Sequence, residues 1–206
     1  MDQEWFWDYR ILSIIAVVII SLLIVFLFRS KKKRYDVRKI TMNDIDRMTG
    51  YEFEHYLYVM FASIGFDHTS ITKSSRDFGA DLTFTDLDGE KVVVQAKRLS
   101  DKLGLDAVQE VYAAKAYYAA DVALVMTNTD HVSLPCRKLA SATGVKIISR
   151  DQLHKFVYEG KKGRINEVQE IMNQADEHVV YCSDESIERI EHSRGMIEAG
   201  DYYVKL

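Results

Sequence analysis

The sequence predicts a mixed α/β domain with an αβββαβ core, a central mixed sheet flanked by helices. Three observations predict it. An amphipathic stretch runs from residue 49 to 64, two β-rich runs flank Asp88-Gly89, and apolar runs alternate with helically spaced segments from residue 105 to 158. Ahead of this core, Ile11 to Phe28 predicts a transmembrane helix. The expected divisions are an N-terminal segment with that helix (1–29), a basic juxtamembrane linker (30–48), the α/β domain (49–160) and an acidic, helical C-terminal extension (161–206).

A chain of 206 residues suits one domain of ordinary size plus appendages. Its single proline and 48% apolar content favour a compact fold over disorder. The two cysteines, Cys136 and Cys182, have no CxxC spacing, so neither a zinc site nor a disulfide framework follows, which suits a reducing compartment. The net charge of −4 hides an asymmetry: residues 29–163 carry 22 Lys and Arg against 18 Asp and Glu, whereas 164–206 carry 4 against 10. A mildly basic middle permits nucleic-acid binding without requiring it.

Ile11 to Phe28 is an 18-residue apolar and small-polar run. As a helix it would reach about 27 Å, close to the ~30 Å of a hydrocarbon core. Trp5, Phe6 and Trp7 sit like an interfacial aromatic belt on one side, and Arg29, Lys31, Lys32, Lys33 and Arg34 form a basic cluster on the other. The positive-inside rule then predicts an N-terminus outside and a cytoplasmic domain, and the basic cluster suits anionic lipid. A cleaved signal peptide would carry its charges in the opposite order. Residues 35–48 read as a polar linker with a helical turn.

Thr49-Gly50-Tyr51-Glu52 has the spacing of a capping box, and Phe53, Leu57, Met60, Phe61 and Ile64 follow on one helical face. Glu52 is the expected cap. After Gly65, residues 66–72 read as a strand, and Lys73, Ser74, Ser75 and Arg76 as a polar loop. Its two cations fit either DNA phosphates or ordinary solvated positions. Leu82 to Leu87 and Lys91 to Ala96 form the expected hairpin around Asp88-Gly89, a pair that accepts a tight turn. Residues 105–119 read as a helix on Val108, Val111, Tyr112 and Ala116, and 123–127 as a buried, parallel strand. A helix from Pro135 to Thr143, a strand from Val145 to Ser149 and a helix from Asp151 to Tyr158 complete the core. Ile165, Val168, Ile171, Met172, Ala175 and Val179 give the extension an amphipathic stripe that must dock on the core or a partner helix.

Strand periodicity projects Gln95 and Lys97 to one face, with Asp81 able to sit beside them across the ladder. A carboxylate, an amide oxygen and an ammonium so gathered suit Mg²⁺ and a developing phosphate charge. The same residues also fit a strand-end cap and a solvated strand face. His55, His68 and His131 form no spaced cluster, so they read as surface or satisfied residues.

Phe53-Glu54, Gly65-Phe66, Asp77-Phe78-Gly79-Ala80-Asp81 and Gln95-Ala96-Lys97, followed by Val125-Met126-Thr127-Asn128, Leu139-Ala140, Val145 and Asp151-Gln152-Leu153, resemble the catalytic core of the Mrr-type restriction endonucleases, a branch of the PD-(D/E)xK superfamily. The resemblance covers roughly residues 45–158, in family order, and implies a restriction-endonuclease-like fold. It departs at Ser133-Leu134-Pro135-Cys136, which leaves the start of that helix open.

The resemblance puts Glu54, Asp81, Gln95 and Lys97 on the family's catalytic positions. Glu54, Asp81 and Gln95 would then hold Mg²⁺, with Mn²⁺ as a substitute, and Lys97 would orient water or steady the phosphate. Asp77 would stand behind the site or merely form a turn, Lys73 and Arg76 could meet DNA, and Gln109, on the helix face nearest the hairpin's end, matches a glutamine that related nucleases often have. The implied activity is a membrane-anchored, Mg²⁺-dependent endodeoxyribonuclease that restricts foreign DNA. Its expected partners are DNA, membrane lipid through the N-terminal helix and basic cluster, and a second copy in a homodimer. The alternative is an inactive DNA-binding or protein-interaction module of the same fold.

Overall fold

The structure, a computed structural model, describes residues 12–23, 35–72, 78–174, 179–181, 187, 196–199 and 202–205. The chain divides into two units, Met1–Lys39 and Ile40–Leu206.

In the first unit, residues 12–23 form helix α1, and all twelve are exposed. Among the described residues no helix is long and apolar enough to cross a membrane. Twelve residues rise only about 18 Å. The expected span therefore does not emerge, and Ile11, residues 24–28 and the basic cluster at 29–34 lie outside the described residues.

The second unit starts earlier than residue 49. The stretch read as a linker contains a short helix, α2 (Met42–Ile45), with its own capping box from Thr41 and Asp44, and it buries Ile45 completely. Helix α3 (Gly50–Ile64) follows, capped as expected: the Thr49 hydroxyl accepts from the Glu52 N–H at 3.2 Å and Glu52 Oε2 accepts from the Thr49 N–H at 2.8 Å. It ends on Gly65, whose φ of 108° is left-handed.

Strands β1 (Asp67–Ile71), β2 (Leu82–Thr85), β3 (Lys91–Lys97), β4 (Val122–Thr127) and β5 (Lys146–Ile148) form one sheet in that order. β1, β2 and β3 are antiparallel neighbours, while β3, β4 and β5 run parallel, so the sheet is mixed as predicted. The hairpin differs in its turn. The strands stop at Thr85 and Lys91, and buried Asp86 holds the loop by accepting from the Asp88 and Glu90 N–H groups at 3.0 and 2.8 Å. A side-chain acceptor thus replaces a two-residue turn.

Helices α4 (Asp106–Tyr117) and α5 (Leu134–Thr143) supply the crossovers, and α6 (Arg150–Lys161) follows β5 and packs on α3. The start of α5, left open by the sequence, is settled by Ser133, whose hydroxyl accepts from the Cys136 N–H, with Pro135 in the first turn. Burial pushes the Cys136 thiol up to about 11, which makes it a core residue and not a nucleophile.

The two faces of the sheet are built from different residues. Phe61 stacks on Phe84 at 4.4 Å and meets Phe66 and Phe156, joining α3, α6 and β2. The other core gathers Ala80, Val93, Ala107, Val108, Val111, Ala114, Ala123, Val125 and Ala140 under α4 and α5.

Helix α7 (Ile165–Asn173) buries Val168, Ile171 and Met172 and packs on α6. Its Gln169 Nε2 donates to Asp86 and Asp88, so the extension docks on the hairpin loop. Beyond it the expected helical tail is corrected: β6 (Met196–Ala199) and β7 (Tyr202–Lys205) form an antiparallel hairpin.

Candidate active site

Strand β3 carries the site because its last residues alternate between the two cores. Val93 faces the small-residue core. Gln95 and Lys97, two and four residues on, therefore project toward α4. The register pairs Leu82 with Val94, so the preceding residue, Asp81, lies opposite Gln95 on the same face. Asp81 is fixed at three points: its N–H donates to the Val94 carbonyl at 2.8 Å, its carbonyl accepts from the Thr72 N–H at 2.9 Å, and Oδ2 accepts from the Ala96 N–H at 2.7 Å. Asp81 and Gln95 are 8% and 7% exposed, two of seven buried polar or charged residues among the described residues. Gln95 Oε1 is buried and has no hydrogen-bond partner.

Lys97 points at a residue that the sequence reading passed over. Its Nζ lies 2.7 Å from Oε2 of Glu110, on α4. Gln109, expected on this face, is exposed instead. One position along a helix turns the side chain by 100°, and the apolar residues Val108 and Val111 fix the rotation that brings Glu110 to the strand.

The loop before Asp81 is pressed against the same helix. A Cβ on Gly79 would overlap the Glu110 backbone, and the φ of 88° is left-handed as well, so only glycine fits. Phe78 next to it has a φ of 49°, which costs a non-glycine residue about 1–2 kcal/mol. Its ring stacks on Tyr117 with centroids 3.8 Å apart and planes at 21°. Lys73, Arg76 and Asp77 lie outside the described residues.

Glu54 is half-buried on α3, which covers the opposite face from α4. The structure thus brings Asp81 and Gln95 together and gives Lys97 a carboxylate from α4, while Glu54 comes from the other layer. Among the described residues no three His, Cys, Asp or Glu side chains cluster as a metal site. The donor set does fit a hard cation in kind: a buried carboxylate beside a buried carbonyl oxygen that lacks a partner.

Beyond Lys97 the strand is tied down from the α3 side. The Leu99 N–H donates to Asn128 Oδ1 at 2.7 Å, and Asn128 Nδ2 donates to Asp46 Oδ1 at 3.0 Å. Arg150 grips the same carboxylate with two nitrogens, at 2.6 and 2.7 Å. These bonds from Arg150 hold the Asp46 carboxyl below the usual carboxylate range.

Residues 45–157, more than half of the chain, match the Mrr_cat family model, described as a restriction endonuclease. Among solved structures the chain is similar to a repair endonuclease from Pyrococcus abyssi, with 16% identity and a TM-score of 0.35. That likeness covers 56% of this chain and 48% of the other, so it spans about half the length of that structure. No curated protein sequence matches the chain.

Proposed function

Given that the chain belongs to the Mrr_cat restriction endonuclease family, we propose that it is a Mg²⁺-dependent endodeoxyribonuclease that hydrolyses DNA phosphodiester bonds in restriction of foreign DNA. The Gln95 side chain carries the reading. Its carbonyl oxygen is buried without a partner, across the ladder from the buried Asp81 carboxylate. An orphaned buried acceptor costs about 1–3 kcal/mol, which a ligand at this position would offset.

Asp81 and Gln95 would hold the cation, Mg²⁺ or Mn²⁺; Glu54, the third donor that the resemblance implies, stands on α3 in the opposite layer, so its part rests on the resemblance alone. When bound, the cation supplies charge that neutralises the phosphate and eases ionisation of water. Lys97 steadies the negative charge that builds on the phosphoryl oxygens as the water oxygen bonds to phosphorus and one ester P–O bond breaks; the departing alkoxide takes up a proton. Glu110 holds the Lys97 ammonium in place before substrate arrives. Lys73 and Arg76 would meet neighbouring phosphates.

Plasmid cleavage with and without Mg²⁺ or Mn²⁺ tests the reading. Asp81→Ala and Lys97→Ala should each lower cleavage by at least ~100-fold, about 3 kcal/mol, with the fold retained. Full cleavage by both folded variants overturns the assignment, and binding without cleavage in the unaltered protein selects the inactive module.

The chain is also proposed to be membrane-anchored, N-terminus outside and nuclease domain cytoplasmic. Supporting it are the twelve exposed residues of α1, none of them charged, and the basic cluster that follows in sequence. Recovery in the soluble fraction, with no shift to the membrane pellet, would refute it.

A further inference from the structure

We propose that the ring of Phe78, backed by Tyr117, is a stacking platform for an unpaired base of the nucleic-acid substrate; this rests on the nuclease reading above. Phe78 is 47% exposed and Tyr117 59%, although the two rings are in parallel contact. Each ring therefore has one face covered by the other and keeps about half of its surface in water. A third planar π-system laid on the outer face of Phe78 continues the stack at the spacing that bases and aromatic rings prefer.

The backbone presents the ring deliberately. Phe78 and Gly79 are both left-handed, and the Gly79–Glu110 approach fixes the loop to α4, so the strain at Phe78 projects its side chain outward along the helix. Tyr117 lies two helical turns beyond Glu110, the residue that holds Lys97. Those seven residues rise about 10 Å, roughly three nucleotide steps at 3.4 Å. A base near the scissile phosphate can thus reach the platform along the same face.

A base is the occupant that fits. Two rings are far too small a patch for a stable protein interface, which needs about 800 Å² on each partner. A paired base inside a duplex has both faces covered by its neighbours, so the base must be flipped, mismatched or single-stranded.

The test uses the full chain in EDTA with a short single-stranded oligonucleotide carrying 2-aminopurine, alongside thermal melting and Mg²⁺-dependent cleavage. Binding should quench the 2-aminopurine. Phe78→Leu, which keeps apolar bulk but removes the ring, should weaken binding about 5- to 100-fold, the range of one base–aromatic stack, and abolish the quench. Phe78→Tyr and Phe78→Trp should keep both, and Tyr117→Phe should behave as the unaltered protein. A folded Leu variant with full affinity and quench overturns the platform, as does a folded Trp variant without quench. If the unaltered protein cleaves and Phe78→Leu matches it throughout, only the platform falls. If the unaltered protein neither binds nor cleaves, the nuclease reading falls with it.

Discussion

The two faces of the central sheet solve different problems. Toward α3 and α6 the core is aromatic, with Phe53, Phe61, Phe84 and Phe156 almost completely buried. Toward α4 and α5 it is alanine and valine. Bulky rings fill the space between helices and strands on the first face; small residues on the second let α4 approach until its backbone touches Gly79 and its Glu110 reaches Lys97. Stability is concentrated on one face and the geometry of the site on the other.

Two substitutions can break that contrast. Phe61→Ala removes a fully buried ring that touches three others, so it should cost about 3–5 kcal/mol and lower Tm by roughly 6–20 °C. Cleavage per folded molecule should change far less than stability, since Asp81, Gln95 and Lys97 lie on the sheet face opposite Phe61. Gly79→Ala should do the reverse. It adds one methyl group, but against backbone that cannot yield and at a left-handed φ, so α4 must move away from the strand. A stability loss of about 1–3 kcal/mol should accompany a cleavage loss of at least ~10-fold in the molecules that remain folded. Urea unfolding and single-turnover cleavage on both variants decide it; equal activity losses per folded molecule would erase the division between the faces.

Local rules made the aromatic face legible in the sequence. The Thr49–Glu52 capping box and the apolar stripe of α3 lie within one helix, and the parallel strand β4 showed as an unbroken apolar run. The αβββαβ core and the resemblance then followed together. The other face was less legible because its contacts depend on a rotation. Whether Gln109 or Glu110 meets Lys97 turns on a single helical position, which spacing alone leaves unresolved. The Asp86 loop was missed because Asp88-Gly89 offers a sufficient turn by itself, while the buried acceptor two residues earlier has no local signature. At the C-terminus, Gly200-Asp201 between two β-rich runs is a hairpin signal that the sequence reading passed over.

A smaller effect sharpens the contrast where the two faces meet, at the end of β3. Asp46 and Arg150 stand 104 residues apart, and with Asn128 they tie the strand just past Lys97 to α2 and α6. Both side chains are about one-third exposed, so Arg150→Gln should cost only about 1 kcal/mol at pH 7. The Arg150 bonds hold the folded-state pKa of Asp46 below its ordinary 3.8. A depressed carboxylate contributes stability that is fully present above the unfolded value and is lost as pH falls through the folded one. The gap between the unaltered protein and Arg150→Gln should therefore stay constant from pH 7 down to about 5 and close at pH values below 3.8. Urea midpoints at pH 7 and pH 3 measure it. A gap that persists undiminished at pH 3 would mean that Arg150 acts through packing of its stem and its bond to the Asn128 carbonyl, leaving the carboxylate of Asp46 no part in fastening the strand.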